Sequence, residues 1–188
     1  LKLTKDKNCL EIINLIFPQL KNISSFSKLN DYAKKNFNKV DFIFLLSLMI
    51  IDETDNVDYF FYKFNISKKD QKRLLFLNNF NSKKNTNKTL TLKNLNKIFY
   101  LNGKEALMDV INFKLFKSNK VDSKLLKMIE NFKDREIPIM PIKASTLMEK
   151  YNLVEGKELG SKLKMIEEIW IKNDFQISDK EVIKIVNS

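Results

Sequence analysis

Apolar residues recur at three- and four-residue spacing over almost the whole chain, and alternation with a period of two is sustained nowhere. Such spacing lays one apolar stripe along a helix and denies a sheet its two faces, so the expected fold class is all-α. About ten to eleven helices are expected, arranged as an elongated multi-helix array. Only three glycines and three prolines interrupt the pattern. Two of the prolines, two of the glycines and the only tryptophan fall together in 137–175. This concentration of breakers divides the chain into a helical body over 1–132 and a tail over 133–188 built around a helical hairpin.

Local signals place the elements. Cys9, Ile12, Ile13 and Ile16 form one apolar face, ended at Pro18. A second helix is expected from Ser24 to Lys35. Asp41 opens an apolar helix over Phe42 to Ile51, and Asp52, Glu53 and Asp55 mark the turn before Val57, Phe60, Phe61 and Phe64. Ser67 with Asp70 is a capping pair ahead of Leu74, Leu75 and Leu77. Asn78 to Thr89 reads as a polar loop. Leu92, Leu95, Ile98 and Phe99 resume helix up to an Asn102-Gly103 break, and Ala106, Leu107, Val110 and Ile111 begin the next helix. Another helix runs from Val121 to Phe132. In the tail, Pro138 and Pro141 hold the chain extended, Ser145 is the expected N-cap of a short helix to Tyr151, and Asn152 to Gly156 breaks it. Leu159, Leu163, Ile166 and Trp170 then line a second helix, with Gly160 expected to admit a close backbone approach. Ser178 and Glu181 cap a last helix through Val186.

Composition narrows the chemistry. The chain has no histidine and one cysteine, Cys9. Ser-His and Cys-His nucleophile pairs, His-containing zinc sets and intramolecular disulfides are therefore excluded, and a free thiol suits a reducing cytoplasm. The longest apolar run, Phe42 to Ile51, is interrupted by Ser47 and falls short of a membrane span. Asp52, Glu53, Asp55 and Asp58 offer hard oxygens, but no glycine or closing glutamate gives an EF-hand, so a helix-capping turn is expected and no metal site. Gly156 and Gly160 lack the Gly-Lys-Ser/Thr of a phosphate loop, which leaves a hairpin turn with close helix packing. Trp170 sits at core spacing.

The formal net charge is +11. Lysine greatly outnumbers arginine, and asparagine, isoleucine and phenylalanine abound, as an AT-rich coding sequence would give. The placement of the charge says more. Between Phe61 and Lys104 stand eleven basic residues against the single acid Asp70, whereas from Lys133 to Ser188 ten basic residues face ten acidic ones. A polyanionic partner is expected at the basic stretch. Lys68, Lys69, Lys72 and Arg73 on the helix opened by Ser67, with Lys83, Lys84 and Lys88 on the loop beyond, are the candidate phosphate contacts. The competing reading is a solvated lysine surface on a helical protein-interaction module.

The order of parts in the tail resembles the C-terminal tail of bacterial tRNA nucleotidyltransferases (CCA-adding enzymes) and poly(A) polymerases. Pro141, Leu147, Met148, Gly156, Leu159, Gly160, Trp170 and Phe175 match that pattern, while Ala144, Thr146 and Glu155 stand where the family has Gly, Asp and Pro. The body resembles the same family through Ile16-Phe17-Pro18, the apolar helix and its acidic turn, Ile66-Ser67-Lys68, and Tyr100 to Ala106 with Asp109.

The resemblance implies a chain that holds tRNA for CCA addition, or another RNA for polyadenylation, without transfer chemistry of its own. In the family, Mg2+ and ATP or CTP belong to an N-terminal head carrying Gly-Ser and Asp-x-Asp. That arrangement and the arginine-rich neck motifs are missing here, and the sequence begins at Leu1, so a piece of a longer protein is expected, with the head on the same or a separate chain. The resemblance also implies that the tail rests on the tRNA elbow, with Lys143, Ser145, Lys157, Gly160, Ser161, Lys162 and Lys164 as contacts and free backbone N–H groups near Ser161 facing a phosphate.

Overall fold

The computed structural model describes residues 3–82 and 90–187. Among these residues every regular element is helical and no strand occurs, as the spacing predicts. The α-helices are α1 (Lys7–Ile16), α2 (Asp31–Asn36), α3 (Phe42–Ile50), α4 (Asn56–Lys63), α5 (Lys68–Asn81), α6 (Leu92–Lys117), α7 (Ser123–Lys133), α8 (Ala144–Tyr151), α9 (Lys157–Lys172) and α10 (Asp179–Val186).

Side-chain caps fix most of the helix starts, because the first backbone N–H groups of a helix have no partner within it. Asp6, Asn30, Asp41, Ser67, Asp122 and Ser178 each accept a hydrogen bond from a backbone N–H in the first turn of the helix that follows. Ser178 and Glu181 complete a reciprocal capping box. Two elements differ from the sequence expectation. The helix expected over 24–35 is a 3₁₀ segment, Ile23–Lys28, followed by α2. Asn30 causes the break: its side chain caps Ala33 and also donates to the carbonyls of Leu115 and Ser118, both at 2.7 Å. And α5 continues through Asn78 to Asn81, where the polar composition predicts a loop, with the Asn81 amide donating to the Leu77 carbonyl at 2.8 Å.

The chain forms two compact units. The first comprises Leu1–Thr89 with Glu105–Asp134, and the second Leu90–Lys104 with Arg135–Ser188. α6 passes from the second unit to the first between Lys104 and Glu105, just beyond Gly103, whose φ of 85° and ψ of 173° interrupt the helix at the expected Asn102-Gly103 break. Only glycine adopts that backbone geometry readily.

In the first unit, α3 is the central element. Phe44, Leu46, Leu48 and Ile50 are buried, and Phe44 meets Phe116 edge-to-face at 5.3 Å. Its C-terminal end is tied down by polar side chains. Asn22 and Lys117 donate to the Ile51 carbonyl, and Asn56, itself buried, donates to the carbonyls of Gln19 and Ile50.

In the second unit, Leu147, Leu159, Ile166, Val182 and Ile185 form a core from α8, α9 and α10. Residues 90–104, expected in the body, join this unit through aromatic packing. Tyr100 meets Trp170 at 5.2 Å, Trp170 meets Phe175 at 5.0 Å, and the Tyr100 hydroxyl donates to Glu167 at 2.9 Å. Asp174 and Phe175 hold this corner in left-handed conformation (φ 56° and 64°), with Asp174 accepting from Asn96 and Arg135, each at 3.0 Å. Trp170 is 2% exposed and belongs to the core, as its spacing predicts.

Candidate nucleic-acid interface

α5 is the element that carries the candidate phosphate contacts of the body. Ser67 accepts from the Asp70 N–H at 3.1 Å and its hydroxyl donates to the Asp70 carboxylate at 2.6 Å, so the helix start is well fixed. One helical face, Leu74 and Leu77, turns into the core. At 100° per residue this sends Lys68, Lys69 and Lys72 outward. All three are exposed, and none pairs with a carboxylate among the described residues.

Arg73 does not belong with them. Its side chain is 15% exposed and turned inward, against three carboxylates. Nε and Nη2 donate to Asp109 at 2.6 and 2.8 Å, Nη2 also lies 2.8 Å from Asp41, and Nη1 lies 3.2 Å from Glu105. The hydrogen bonds to Asp109, opposed by burial and reinforced by Asp41, hold the guanidinium well above its ordinary pKa. Burial dominates at Asp109 and raises its carboxyl even against the Arg73 hydrogen bonds, with the Asp41 and Glu105 charges adding to the rise. At Asp41 burial is outweighed by the Phe44 N–H and by Arg73, so that carboxyl titrates below its ordinary value. A cleft of about 190 Å³ lined by Lys39, Asp41, Phe44, Arg73 and Glu105 lies beside this cluster. Arg73 is thus an internal cross-link between α5, the start of α3 and the second half of α6, its guanidinium taken up by carboxylates.

Lys83, Lys84 and Lys88 lie outside the described residues. The basic stretch between Phe61 and Lys104 is also divided: Lys63, Lys68, Lys69 and Lys72 belong to the first unit, and Lys93, Lys97 and Lys104 to the second. Lys93 and Lys97, one turn apart and exposed on α6, emerge as a pair only when charge is assigned to helix faces. Two exposed aromatic residues, Tyr59 and Tyr62 on α4, are likewise invisible to a count of charge. Their signal in the sequence is a three-residue spacing opposite the buried Val57 and Phe60.

In the tail, Lys143, Ser145, Lys157, Gly160, Ser161 and Lys164 are exposed, and Lys162 is half-buried. Lys157, Ser161 and Lys164 follow a helical i, i+4, i+7 row on α9. Three expectations change. Lys143, not Ser145, occupies the N-cap position of α8, and it makes no side-chain cap. Gly160 faces open space, with nothing within 4 Å of where a Cβ would stand, so no close packing requires it. The Gly160 N–H already donates to the Gly156 carbonyl at 3.2 Å, which places Ser161 inside the helix. The N–H groups of α9 without a partner in the helix therefore belong to its first residues, 157–159, where Glu158 adds a negative charge that opposes a phosphate.

The acidic turn is stitched internally, and at the start of α4 it is the Thr54 hydroxyl that accepts from the Asn56 N–H, at 3.2 Å. Asp52 accepts from the Thr54 N–H at 3.2 Å and hydroxyl at 2.6 Å and pairs with Lys21 at 3.4 Å, while Asp55, at the N-cap position, makes no side-chain cap. Burial raises the Asp52 carboxyl, but Thr54 and Lys21 outweigh it and leave it below its ordinary value. Among the described residues no group of acidic or thiol side chains is arranged to hold a metal ion, and no helix is long and apolar enough to cross a membrane.

No protein-family model, curated protein or solved structure matches this chain.

Proposed function

We propose that this chain is an RNA-holding helical module, the body and tail of a cytoplasmic tRNA nucleotidyltransferase-type protein, which grips tRNA while a separate head domain performs the transfer. The observation that carries the reading is the first turn of α5. Among the described residues Lys68, Lys69 and Lys72 stand exposed with no carboxylate partner, while Asp41, Glu105 and Asp109 of the same unit are taken up by Arg73. A lysine cluster left unneutralised on a rigid helix start suits phosphates, which it contacts without regard to base sequence. A tail with equal numbers of acids and bases contributes shape more than charge. The same surface would serve a polyadenylating protein.

A protein-interaction module is the second reading, favoured by α1, where Ile12, Leu15 and Ile16 are exposed to 57%, 83% and 55%. Binding of unmodified tRNA at low and at moderate salt separates the two. The RNA reading expects binding that weakens steeply as salt rises, since bound lysines displace counterions. Absence of tRNA binding at low salt sinks it.

A further inference from the structure

We propose that Asn102 is a site of spontaneous deamidation, where the chain converts its own side-chain amide into an aspartyl or isoaspartyl carboxylate. This chemistry does not depend on RNA binding.

The backbone nitrogen of the residue after an asparagine is placed to attack the side-chain carbonyl carbon and close a five-membered ring. A side chain on that next residue hinders the approach, and glycine has none. Asn102 is the one asparagine of this chain that precedes a glycine.

The fold leaves the pair open. Asn102 is exposed, and its amide makes no hydrogen bond among the described residues. The amides of Asn22, Asn30, Asn56 and Asn81, by contrast, each donate to a backbone carbonyl at 2.7 or 2.8 Å. Nothing lies within 4 Å of where a Cβ of Gly103 would stand, so no other part of the fold crowds the ring. Ring closure requires Asn102 to leave helical backbone geometry, which inside a helix breaks the ladder on both sides. Here the ladder already stops. Gly103, at φ 85° and ψ 173°, is the non-helical residue of α6, so Asn102 closes the first segment. The last carbonyls of a helix have no partner within it, and opening at such an end costs less than opening in the interior.

Hydroxide removes the Gly103 N–H proton, and the nitrogen attacks Asn102 Cγ. The N–Cγ bond forms, the Cγ–Nδ2 bond breaks, and Nδ2 takes a proton from water and leaves as ammonia. Water then adds to either carbonyl of the succinimide. Cleavage of one ring C–N bond gives aspartate or, with the main chain rerouted through Cγ, isoaspartate. Nothing is oxidised or reduced. Either product carries a carboxylate where a neutral amide stood, which lowers the formal net charge of +11 by one.

The test holds the full folded chain in warm, mildly alkaline buffer and follows the peptide 98–104, released by cleavage after Lys97 and Lys104, by mass spectrometry. Asn102 carries the only amide side chain of that peptide. The peptide is expected to show the amide-to-acid mass shift, in several-fold greater yield than any other asparagine peptide, and to accept a methyl group from an isoaspartyl methyltransferase. N102Q, with one more methylene between amide and backbone, is expected to stay unconverted over the same period. The parent chain unfolded in guanidinium sets the rate of the bare sequence. Conversion in the unfolded chain without conversion in the folded one overturns the proposal, because the helix end would then shield Asn102. Absence of conversion in both, or acid formed without isoaspartate, overturns it as well.

Discussion

Arg73 holds Asp109 through two parallel hydrogen bonds, Nε to Oδ2 at 2.6 Å and Nη2 to Oδ1 at 2.8 Å, in a site where Asp109 is only 5% exposed. A planar guanidinium fits a carboxylate in this way and an ammonium does not. Removing the arginine strands a buried charge. Arg73→Met is therefore expected to lower stability by about 3 kcal/mol, read as a shift of the urea midpoint with unchanged slope. Arg73→Met combined with Asp109→Leu is expected to recover most of that loss, because no buried charge remains. A double variant as unstable as the single one would show that packing, not the stranded carboxylate, sets the loss.

The same cluster gives a pH dependence with a definite sign. Asp41 titrates below its ordinary value of 3.8 in the folded chain because its hydrogen bonds and Arg73 outweigh its burial. Its contribution is fully present above that ordinary value and is lost as pH falls through the lower folded value. Asp109, pushed up by burial, works in the opposite sense, since its protonated form is favoured on folding and its contribution fades as pH rises through the raised value. Asp41→Asn keeps a capping side chain for Phe44 and removes the titration. The urea midpoint of this variant is expected to fall less than that of the parent between about pH 5 and about pH 2. Parallel curves would remove Asp41 from the account.

Much of the fold was legible because local rules and tertiary packing agree. Asp41, Ser67 and Ser178 cap where their spacing predicts, and Gly103 breaks α6 where Asn102-Gly103 suggests. The failures occur where a side chain's partner lies far away in sequence. Arg73 reads as one more surface cation until Asp41 and Asp109, 36 residues away from it in the second case, close around it. Asn30 reads as helix interior until the carbonyls of Leu115 and Ser118 claim its amide. Residues 90–104 read as body until Tyr100 packs on Trp170. In the candidate site the lysines were legible from charge alone, whereas their division between two units and the outward tyrosines needed the helix faces.

Two glycines should respond oppositely to alanine. Neither Gly103 nor Gly160 has an atom within 4 Å of a new Cβ, so backbone conformation alone decides. At Gly103, φ of 85° with ψ of 173° lies where an L-residue is strained, and Gly103→Ala is expected to cost about 1–3 kcal/mol. Gly160 lies inside α9, where glycine is a poor helix former, and Gly160→Ala is expected to raise stability by about 0.5–1 kcal/mol. Thermal or urea unfolding of the two variants side by side checks both signs.

The lysines of α5 and α9 make a last pair of variants. Lys68→Gln, Lys69→Gln and Lys72→Gln together remove three exposed charges from a helix whose inward face they do not touch, so folding should be unaffected. Every lysine–phosphate pairing removed reduces the dependence of log affinity on log salt by about 0.9 for duplex nucleic acid, so the triple variant is expected to flatten the tRNA salt slope by roughly two to three. Lys157→Gln with Lys164→Gln removes charge from a row that Glu158 already offsets, in a segment with equal numbers of acids and bases. That variant is expected to lower tRNA affinity less and to leave most of the slope in place. The proposed RNA reading, with charge capture by the first unit and shape recognition by the second, predicts this difference, and equal flattening by the two variants would contradict it.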